Sequence, residues 1–173
     1  MMQGKLVILG PVFPQDFNAL FLWADDSEAA LLNEPYRPPL WKHQESFWFA
    51  SNPDPARVFF AIRKINDPLI SGYVQLWNID AVNRSVMLGI RIGDSTQRGQ
   101  GLGQEALLLA IEYCWLHLNL RRITISVFAT NTPALHIYDK LGFVREGILR
   151  QAVYIRGQWT DIILMGLLRP SPP

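Results

Sequence analysis

The 173-residue chain contains a single cysteine, Cys114. One cysteine excludes an internal disulfide and any metal site built from several thiolates. Such cysteine usage is typical of a reducing compartment, so a cytoplasmic location is predicted. Cys114 lies between Tyr113 and Trp115 in an apolar, helix-like run with no neighbouring histidine or cation, which predicts a buried and inert thiol.

Charge of one sign and long apolar runs are also scarce. The formal net charge is +1 and the pI is near 7.9, whereas nucleic-acid-binding proteins usually carry a marked basic excess. The apolar run at residues 6–9 stops at Gly10 and Pro11 and is too short for a signal-peptide core. Other apolar stretches end well before the ~20 residues of a membrane span. These features disfavour nucleic-acid and membrane partners.

The chain does have enough apolar sequence for one large core. Hydrophobic residues make up 49% of the chain and aromatic residues 12%. Because the composition does not change along the chain, residues 1–168 are predicted to form a single domain and residues 169–173 a frayed tail.

Periodicity divides the chain into helices and strands. Helical spacing predicts helices at residues 14–32, 41–50 and 101–118. A fourth, short helix has Asn131 or Thr132 as its cap and Gly142 just beyond its end. Runs rich in β-branched and aromatic residues predict strands at residues 6–9, 58–62, 70–79, 85–92, 123–129, 143–155 and 160–168. Only turns separate the strands between residues 58 and 92, so an antiparallel meander within an α/β (α+β) fold is predicted.

Residues 97–103 form a glycine-rich turn between a strand-like run and the longest helix-like run. Glycine permits tight backbone curvature, and the N-terminus of the next helix presents N–H groups and the positive end of its dipole. The turn is therefore predicted to bind an anion such as pyrophosphate. Arg98 at its edge can add a charge-assisted contact.

Two other phosphate-binding motifs also use glycine-rich turns. A P-loop is excluded, because no glycine is followed by Lys and Ser or Thr at the required spacing. A dinucleotide-binding loop stays an alternative, because residues 101–106 match the pattern G-x-G-x-x-A. Residues 93–97 separate these glycines from the strand, and no acidic residue follows Glu112 before Asp139. Both features disfavour the dinucleotide.

Four blocks of sequence, in order, resemble the GNAT superfamily of acetyl-CoA-dependent N-acetyltransferases. They are residues 88–94, 98–106, 131–143, and the set Glu146, Gly147, 157–161 and Met165. The resemblance is to the branch that includes ribosomal-protein and spermidine acetyltransferases. It implies a mixed, largely antiparallel central sheet flanked by helices, with two central strands that splay apart.

The resemblance also implies where acetyl-CoA binds. The backbone of Ile90, Arg91 and Ile92 is expected to bind the pantetheine amides between the splayed strands, and Asn131 to bind the pantetheine arm. The pyrophosphate is expected on the amides of the loop, which comprises Arg98, Gly99, Gln100, Gly101, Leu102 and Gly103. No metal is expected.

Two residues are predicted to carry catalysis. Tyr138 aligns with the family tyrosine that protonates the leaving thiolate, although its helix face also suits a core residue. Some family members place a glutamate on the strand before the loop, but residues 85–92 contain no carboxylate. Glu34 is the predicted substitute, and an ordinary solvated carboxylate is the alternative. His43 and His136 can titrate near neutrality, but His136 does not face Tyr138 on a helix.

The acceptor side is less well defined by sequence. An aromatic set can line the acceptor pocket or pack in the core: Trp23, Tyr36, Trp41, Phe47 and Trp48. Asp161 can meet a cationic acceptor or close a turn. The predicted function is acetyl transfer from acetyl-CoA to a primary amine, either a protein amino terminus or a small polyamine-like or aminoglycoside-like molecule. The alternative is a non-catalytic acyl-CoA-binding sensor. A homodimer is also expected.

Overall fold

One sheet of eight strands organises the part of the chain that the computed structural model describes, residues 1–32, 35–49 and 54–170. The strands are β1 (Met2–Gln3), β2 (Val7–Gly10), β3 (Val58–Lys64), β4 (Ile70–Asp80), β5 (Ser85–Ile92), β6 (Arg122–Phe128), β7 (Val144–Ile155) and β8 (Gln158–Leu168). The helices are α1 (Phe17–Ala24), α2 (Ser27–Ala30), α3 (Trp41–Phe49), α4 (Leu102–Leu116) and α5 (Thr132–Lys140). Short 3-10 turns occupy Pro14–Asp16 and Ser95–Gln97.

The strand order is β1-β2-β3-β4-β5-β6-β8-β7. Every neighbouring pair is antiparallel except β5 and β6, which are parallel because α4 crosses over between them. The predicted meander is β3, β4 and β5. The predicted α/β class with a largely antiparallel central sheet is therefore confirmed.

The parallel pair is short. Residues 85–87 of β5 pair with residues 122–124 of β6, but β5 continues to Ile92 and β6 to Phe128 without further pairing to each other. The two strands therefore diverge toward their carboxyl ends, as the family resemblance implied. The divergence leaves an opening in the middle of the sheet.

Different helices pack on the two faces of the sheet. On one face α4 packs against β2 and β5, and its buried residues recur at helical spacing, including Ala106, Ala110 and Cys114. Val86 and Leu88 of β5 belong to the same core. On the other face lies a smaller apolar cluster, in which Leu20, Ala61 and Ile70 pack with Trp23, Trp48 and Tyr73. Helices α1 and α3 thus cover the face opposite α4.

The structure differs from the predicted secondary structure in three places. The helical segment predicted over residues 14–32 is a 3-10 turn followed by α1 and α2, because Asp26 leaves the helical conformation and caps α2: its Oδ1 accepts from the N–H groups of Glu28 and Ala29, both at 3.0 Å. The two-residue β1 was not predicted. Arg169 is not frayed, since its N–H donates to the Arg121 carbonyl at 2.8 Å. Among the described residues, no helix is both long and apolar enough to cross a membrane.

Candidate active site

The glycine-rich turn ends at the first residue of α4, as predicted. Gly99 and Gly101 have φ values of 76° and 84°, the left-handed region that side chains with a Cβ disfavour. Gly101 caps α4, and Gly103 in the first helical turn lies against β5: a Cβ there would be 3.5 Å from Cγ1 of Ile92. The first N–H groups of a helix lack intrahelical partners. The loop therefore directs unpaired donors and a positive dipole end to the opening beside β5.

Hydrogen bonds from polar side chains, most of them to backbone groups, fix the loop before α4. Asp94 Oδ1 accepts from the Thr96 N–H at 2.8 Å and from the Thr96 hydroxyl at 2.7 Å, and these bonds hold the pKa of Asp94 below its usual value. Gln100 Nε2 donates to the Thr96 carbonyl at 2.9 Å. Arg98 is exposed at the edge and its Nη2 reaches the Ile92 carbonyl at 3.3 Å. The result is a preorganised loop with the Arg98 guanidinium exposed at its edge.

Alternate residues of β5 direct their backbone groups into the opening. The Gly93 N–H donates to the Ser71 carbonyl at 3.0 Å, so by the alternation of an antiparallel ladder Arg91 bonds toward its register partner Tyr73 on β4. Ile90 and Ile92 then face away from β4. Their N–H groups and the Ile90 C=O are the strand edge that the opening presents, and the Ile92 C=O accepts from Arg98. Arg91 contributes its side chain to the opposite face of the sheet.

A cavity of about 140 Å³ occupies the opening. Its walls include Gly89 and Ile90 of β5, residues 125–128 of β6, and both Asn131 and Tyr138 of the α5 segment. Asn131 is 8% exposed and caps α5: Oδ1 accepts from the Ala134 N–H at 3.2 Å, and Nδ2 donates to the Leu32 carbonyl at 3.1 Å. Its amide keeps one further N–H and one further lone pair for a ligand.

Tyr138 both packs in the core and borders this cavity. It is 5% exposed, and its ring lies 5.7 Å from that of Phe143. Burial raises the pKa of Tyr138 to about 12, because the interior disfavours the phenolate. The phenol is therefore protonated at neutral pH and can donate its proton. His136 is exposed on another side of α5, so the two residues do not act as a pair.

A second, larger cavity of about 360 Å³ lies between the sheet and helices α1 and α3. Its aromatic lining includes Trp23, Phe47 and Trp48, and His43 of α3 borders it as well. The two cavities share four lining residues: Tyr73, Gln75, Trp77 and Arg91. They therefore adjoin at β4 and β5; the first extends toward β6 and α5, and the second toward α1 and α3.

The sequence pattern of the acetyltransferase (GNAT) domain matches residues 7–144. The chain belongs to the GNAT acetyltransferase family. Spermidine N(1)-acetyltransferase of Vibrio cholerae is 33% identical over 116 residues, which is 67% of this chain and 66% of that protein. The uS5-alanine N-acetyltransferase of Escherichia coli K12, which acts on a ribosomal protein, is 36% identical over 49% of this chain and 43% of its own length. The matched segments span less than two thirds of the first relatives' lengths.

Solved structures show the same GNAT fold over nearly the whole chain. The spermidine N-acetyltransferase of V. cholerae, crystallised with CoA and spermine, aligns with a TM-score of 0.86 at 24% identity, covering 95% of this chain and 96% of that one. A dodecameric structure of a V. cholerae spermidine N-acetyltransferase aligns with a TM-score of 0.80 at 23% identity, covering 95% of each chain. The fold prediction and the family prediction are both confirmed.

Several residues predicted for this GNAT site lie elsewhere. Tyr36 is exposed and donates to Asp25 at 2.8 Å, and Trp41 packs against Phe17 with ring centroids 4.6 Å apart. Neither lines either of the two cavities, and neither is buried. Asp161 accepts from the Gln151 N–H at 2.7 Å and supports a bulge in β7, so it has a structural role. Glu34 lies outside the described residues.

Other site residues were not found from the sequence. Gln75, Trp77 and the Arg91 side chain border both cavities, although only the backbone of Arg91 was predicted to matter. Alternate positions of β4 share one face, and Gln75 lies directly across from Gly89. The sequence signal that could have revealed these residues was the polar Gln75 within a largely apolar strand, paired with Gly89 on the next strand.

Two negative predictions concern reactive groups. The prediction that Cys114 is buried is confirmed, and burial raises the pKa of its thiol to about 12, which supports the predicted inertness. Among residues 1–32, 35–49 and 54–170, no group of three or more His, Cys, Asp or Glu side chains is arranged to hold a metal ion.

Proposed function

We propose that this GNAT protein transfers the acetyl group of acetyl-CoA to a primary amine by direct attack on the thioester. The observation that carries the proposal is the opening between β5 and β6, which has a glycine-built helix N-terminus beside it and the buried Tyr138 in its wall. An acyl-pantetheine chain is narrow, carries amides and ends in phosphates. Its amides would pair with the free edge of β5, and its phosphates would bind the N–H groups of the loop.

The chain supplies contacts for the pyrophosphate, the pantetheine arm and the thioester of acetyl-CoA. The loop N–H groups of residues 98–103 and the Arg98 guanidinium would bind the pyrophosphate. The backbone of Ile90 and Ile92 would bind the pantetheine amides and polarise the thioester carbonyl. Asn131 would use its remaining amide N–H on the pantetheine arm. The reaction needs no metal, because the free amine is itself the nucleophile.

Tyr138 is proposed as the proton donor. The bond between the amine nitrogen and the acetyl carbon forms as the carbon–sulfur bond breaks, and the sulfur leaves as a thiolate. The protonated, buried phenol of Tyr138 can neutralise that thiolate and is then reprotonated from solvent.

The attacking amine must be unprotonated, although a free alkylamine has a pKa of about 10. We place the acceptor in the second cavity, and among the described residues that line it, His43 can accept this proton. Glu34 stays the proposed base from the sequence. Glu34→Gln and His43→Gln, each assayed across pH, would show which substitution removes the acidic limb of the kcat/KM profile.

A non-catalytic acyl-CoA-binding sensor is the second candidate. Its support is that no described residue lining either cavity is a carboxylate, the commonest general base after histidine. Such a sensor would bind acetyl-CoA and release no thiol.

Thiol release from acetyl-CoA, measured with a panel of primary amines and peptides, tests the proposal. We expect amine-dependent release, and calorimetry is expected to show binding of CoA but not of NAD. CoA binding without release for any acceptor would favour the sensor. Binding of NAD in place of CoA would support the dinucleotide alternative.

Self-association and a cytoplasmic location are also proposed. The edge strand β7 exposes Val144, Ile148 and Leu149, which are 64%, 60% and 47% accessible. An exposed apolar strand edge favours pairing with another copy. Light scattering of the protein and of Ile148→Lys would test this, with a smaller mass expected for the variant. The unpaired Cys114 thiol supports a reducing compartment.

A further inference from the structure

We infer that the acceptor amine carries an anionic group, a carboxylate or a phosphate, which the side chain of Arg91 binds in the second cavity. The inference rests on the proposed acetyl transfer. It distinguishes this chain chemically from an enzyme that acetylates a polyamine, whose remaining nitrogen atoms are cationic.

Arg91 is a buried cation with unused donors. It is 7% exposed, and its Nη2 donates to the Trp23 carbonyl near the end of α1. Its Nε is buried and has no hydrogen-bond partner. A buried charge is stable only when it is paired and hydrogen-bonded. The negative end of the α1 dipole compensates Arg91 in part, and an anion in the cavity would complete the compensation.

The remaining lining of the cavity does not supply that anion. No Asp or Glu occurs among the described residues that line it. Its other arginine, Arg57, already has an ion pair with Asp54 at 3.3 Å and is about half exposed. Among the described residues that line the cavity, the uncompensated charge is therefore positive. A second ammonium group on the acceptor would be repelled by Arg91 at a site of reduced dielectric.

Aromatic walls alone can attract a cation, but here most of the ring faces have other partners. Arg57 lies over the Phe47 ring at 5.8 Å. Trp48 packs on Phe59 at 4.9 Å and on Tyr73 at 5.1 Å. These rings form a packed apolar wall rather than an open cage for an ammonium group.

The phosphates of coenzyme A are not suited to satisfy Arg91. Ile90 and Ile92 point to the α4 face, since Gly103 of α4 approaches both of them. Side chains alternate along a strand, so Arg91 points to the opposite face, toward α1. The pyrophosphate loop and Arg91 therefore lie on opposite sides of β5. The cavity volume of about 360 Å³ suits a small molecule.

Four amines that share an aminopropyl chain test the inference: 4-aminobutanoate, 3-aminopropylphosphonate, butylamine and 1,4-diaminobutane. Thiol release gives kcat/KM for each, corrected for the fraction of unprotonated amine. We expect at least one anionic amine to exceed both butylamine and the diamine by about tenfold or more, the value of one charge-assisted hydrogen bond. The carboxylate and the phosphonate separate the two sources of negative charge.

Arg91→Gln should reduce this preference to less than about threefold, mainly through KM for the anionic amine, while Arg91→Lys should retain part of it. Arg145→Gln is the matched control, because Arg145 is 58% exposed and forms a surface ion pair with Asp139. The wild-type series remains decisive if Arg91→Gln does not fold.

Two failures can be told apart. If the diamine has a kcat/KM equal to or higher than those of the anionic amines, this inference is overturned, while the proposed acetyl transfer stands. No thiol release with any of the four amines or with peptides would overturn the proposed function, and the inference with it.

Discussion

Gly89 of β5 lies directly beside the indole of Trp77 on β4. A Cβ at Gly89 would be 3.0 Å from the Trp77 ring and 3.3 Å from Nε2 of Gln75. Gln75 and Trp77 line both cavities, and Gly89 lines the one between the splayed strands. The absence of a side chain at this position therefore keeps the region where the two cavities adjoin free.

Gly89→Val should lower activity without unfolding the protein. The added side chain has to displace Trp77 or Gln75, which narrows the route between acceptor and thioester. We expect kcat/KM for the amine to fall about 10²-fold, as for a small misplacement of reacting groups, with little change in CoA affinity. Steady-state thiol release and CoA calorimetry measure the two effects.

Gly147→Ala is the control for that experiment. Its nearest neighbour would be Cδ1 of Leu164 at 3.9 Å, an ordinary contact on β7 away from both cavities. Equal activity of Gly89→Val and the wild type would show that the junction of the cavities is not used.

Tyr138→Phe should lower kcat while acetyl-CoA affinity stays unchanged. The substitution removes only the hydroxyl, so the ring packing on Phe143 is kept and the proton donor is lost. General acid catalysis contributes about 10² or more to the rate, and we expect a loss of that order. Because the pKa of Tyr138 is raised to about 12, its deprotonation should not limit the wild-type rate at any pH below about 10.

Tyr113→Phe is the matched control, since Tyr113 packs between Phe60 and His117 on α4 and lines neither of the two cavities. If both phenylalanine variants keep the wild-type rate, Tyr138 is a core residue only.

The sequence predicted the parts of the site that depend on backbone conformation. Gly99 and Gly101 are left-handed, and the helix start at residue 102 follows from them because few other residues adopt that conformation. The Asn131 cap was predictable for the same local reason. The second cavity was not, because it depends on how α1 and α3 pack across β4. Spacing alone could not show that Trp41 packs on Phe17 while Trp48 lines the cavity, since both lie on one short helix.

Glu105→Gln should lower the free energy of unfolding, because Glu105 joins the first turn of α4 to residues 5–7. Glu105 Oε1 accepts from the Lys5 N–H at 2.8 Å, and Oε2 accepts from the N–H groups of Leu6 at 2.7 Å and Val7 at 2.8 Å. A glutamine would turn one acceptor into a donor that faces an N–H group. The expected loss in the free energy of unfolding is about 1 to 3 kcal/mol. Glu112→Gln, an exposed change on the same helix, should have almost no effect.

The Glu105 contribution should also depend on pH. Partial burial alone would raise its pKa, but the N–H donors of Lys5, Leu6 and Val7 outweigh burial and hold the pKa below its ordinary value of 4.5. A carboxyl with a lowered folded pKa stabilises the protein above its unfolded pKa and loses this effect as pH falls through the folded pKa. The stability difference between wild type and Glu105→Gln should therefore shrink below pH 4.5. A difference that stays constant down to acid unfolding would contradict the assignment.

Asp16→Asn should be the more damaging of two ion-pair substitutions. Asp16 Oδ2 accepts from Arg63 Nη2 at 2.5 Å and from the Phe13 N–H at 2.7 Å, with side-chain exposures of 5% for Asp16 and 14% for Arg63. Removing one partner leaves a buried charge uncompensated, which costs about 3 kcal/mol or more in unfolding free energy. Asp54→Asn breaks the exposed pair with Arg57 and should cost less than about 1 kcal/mol.

Urea denaturation measures the loss of unfolding free energy in both variants. A third variant shows how much of the Asp16→Asn loss comes from the unpaired charge of Arg63. Asp16→Asn combined with Arg63→Met removes the unpaired cation as well, so it should recover part of the stability that Asp16→Asn alone loses. An additive further loss in the double variant would mean that the Arg63 bonds to the Pro11 and Pro68 carbonyls, both at 3.1 Å, hold this corner of the sheet independently of Asp16.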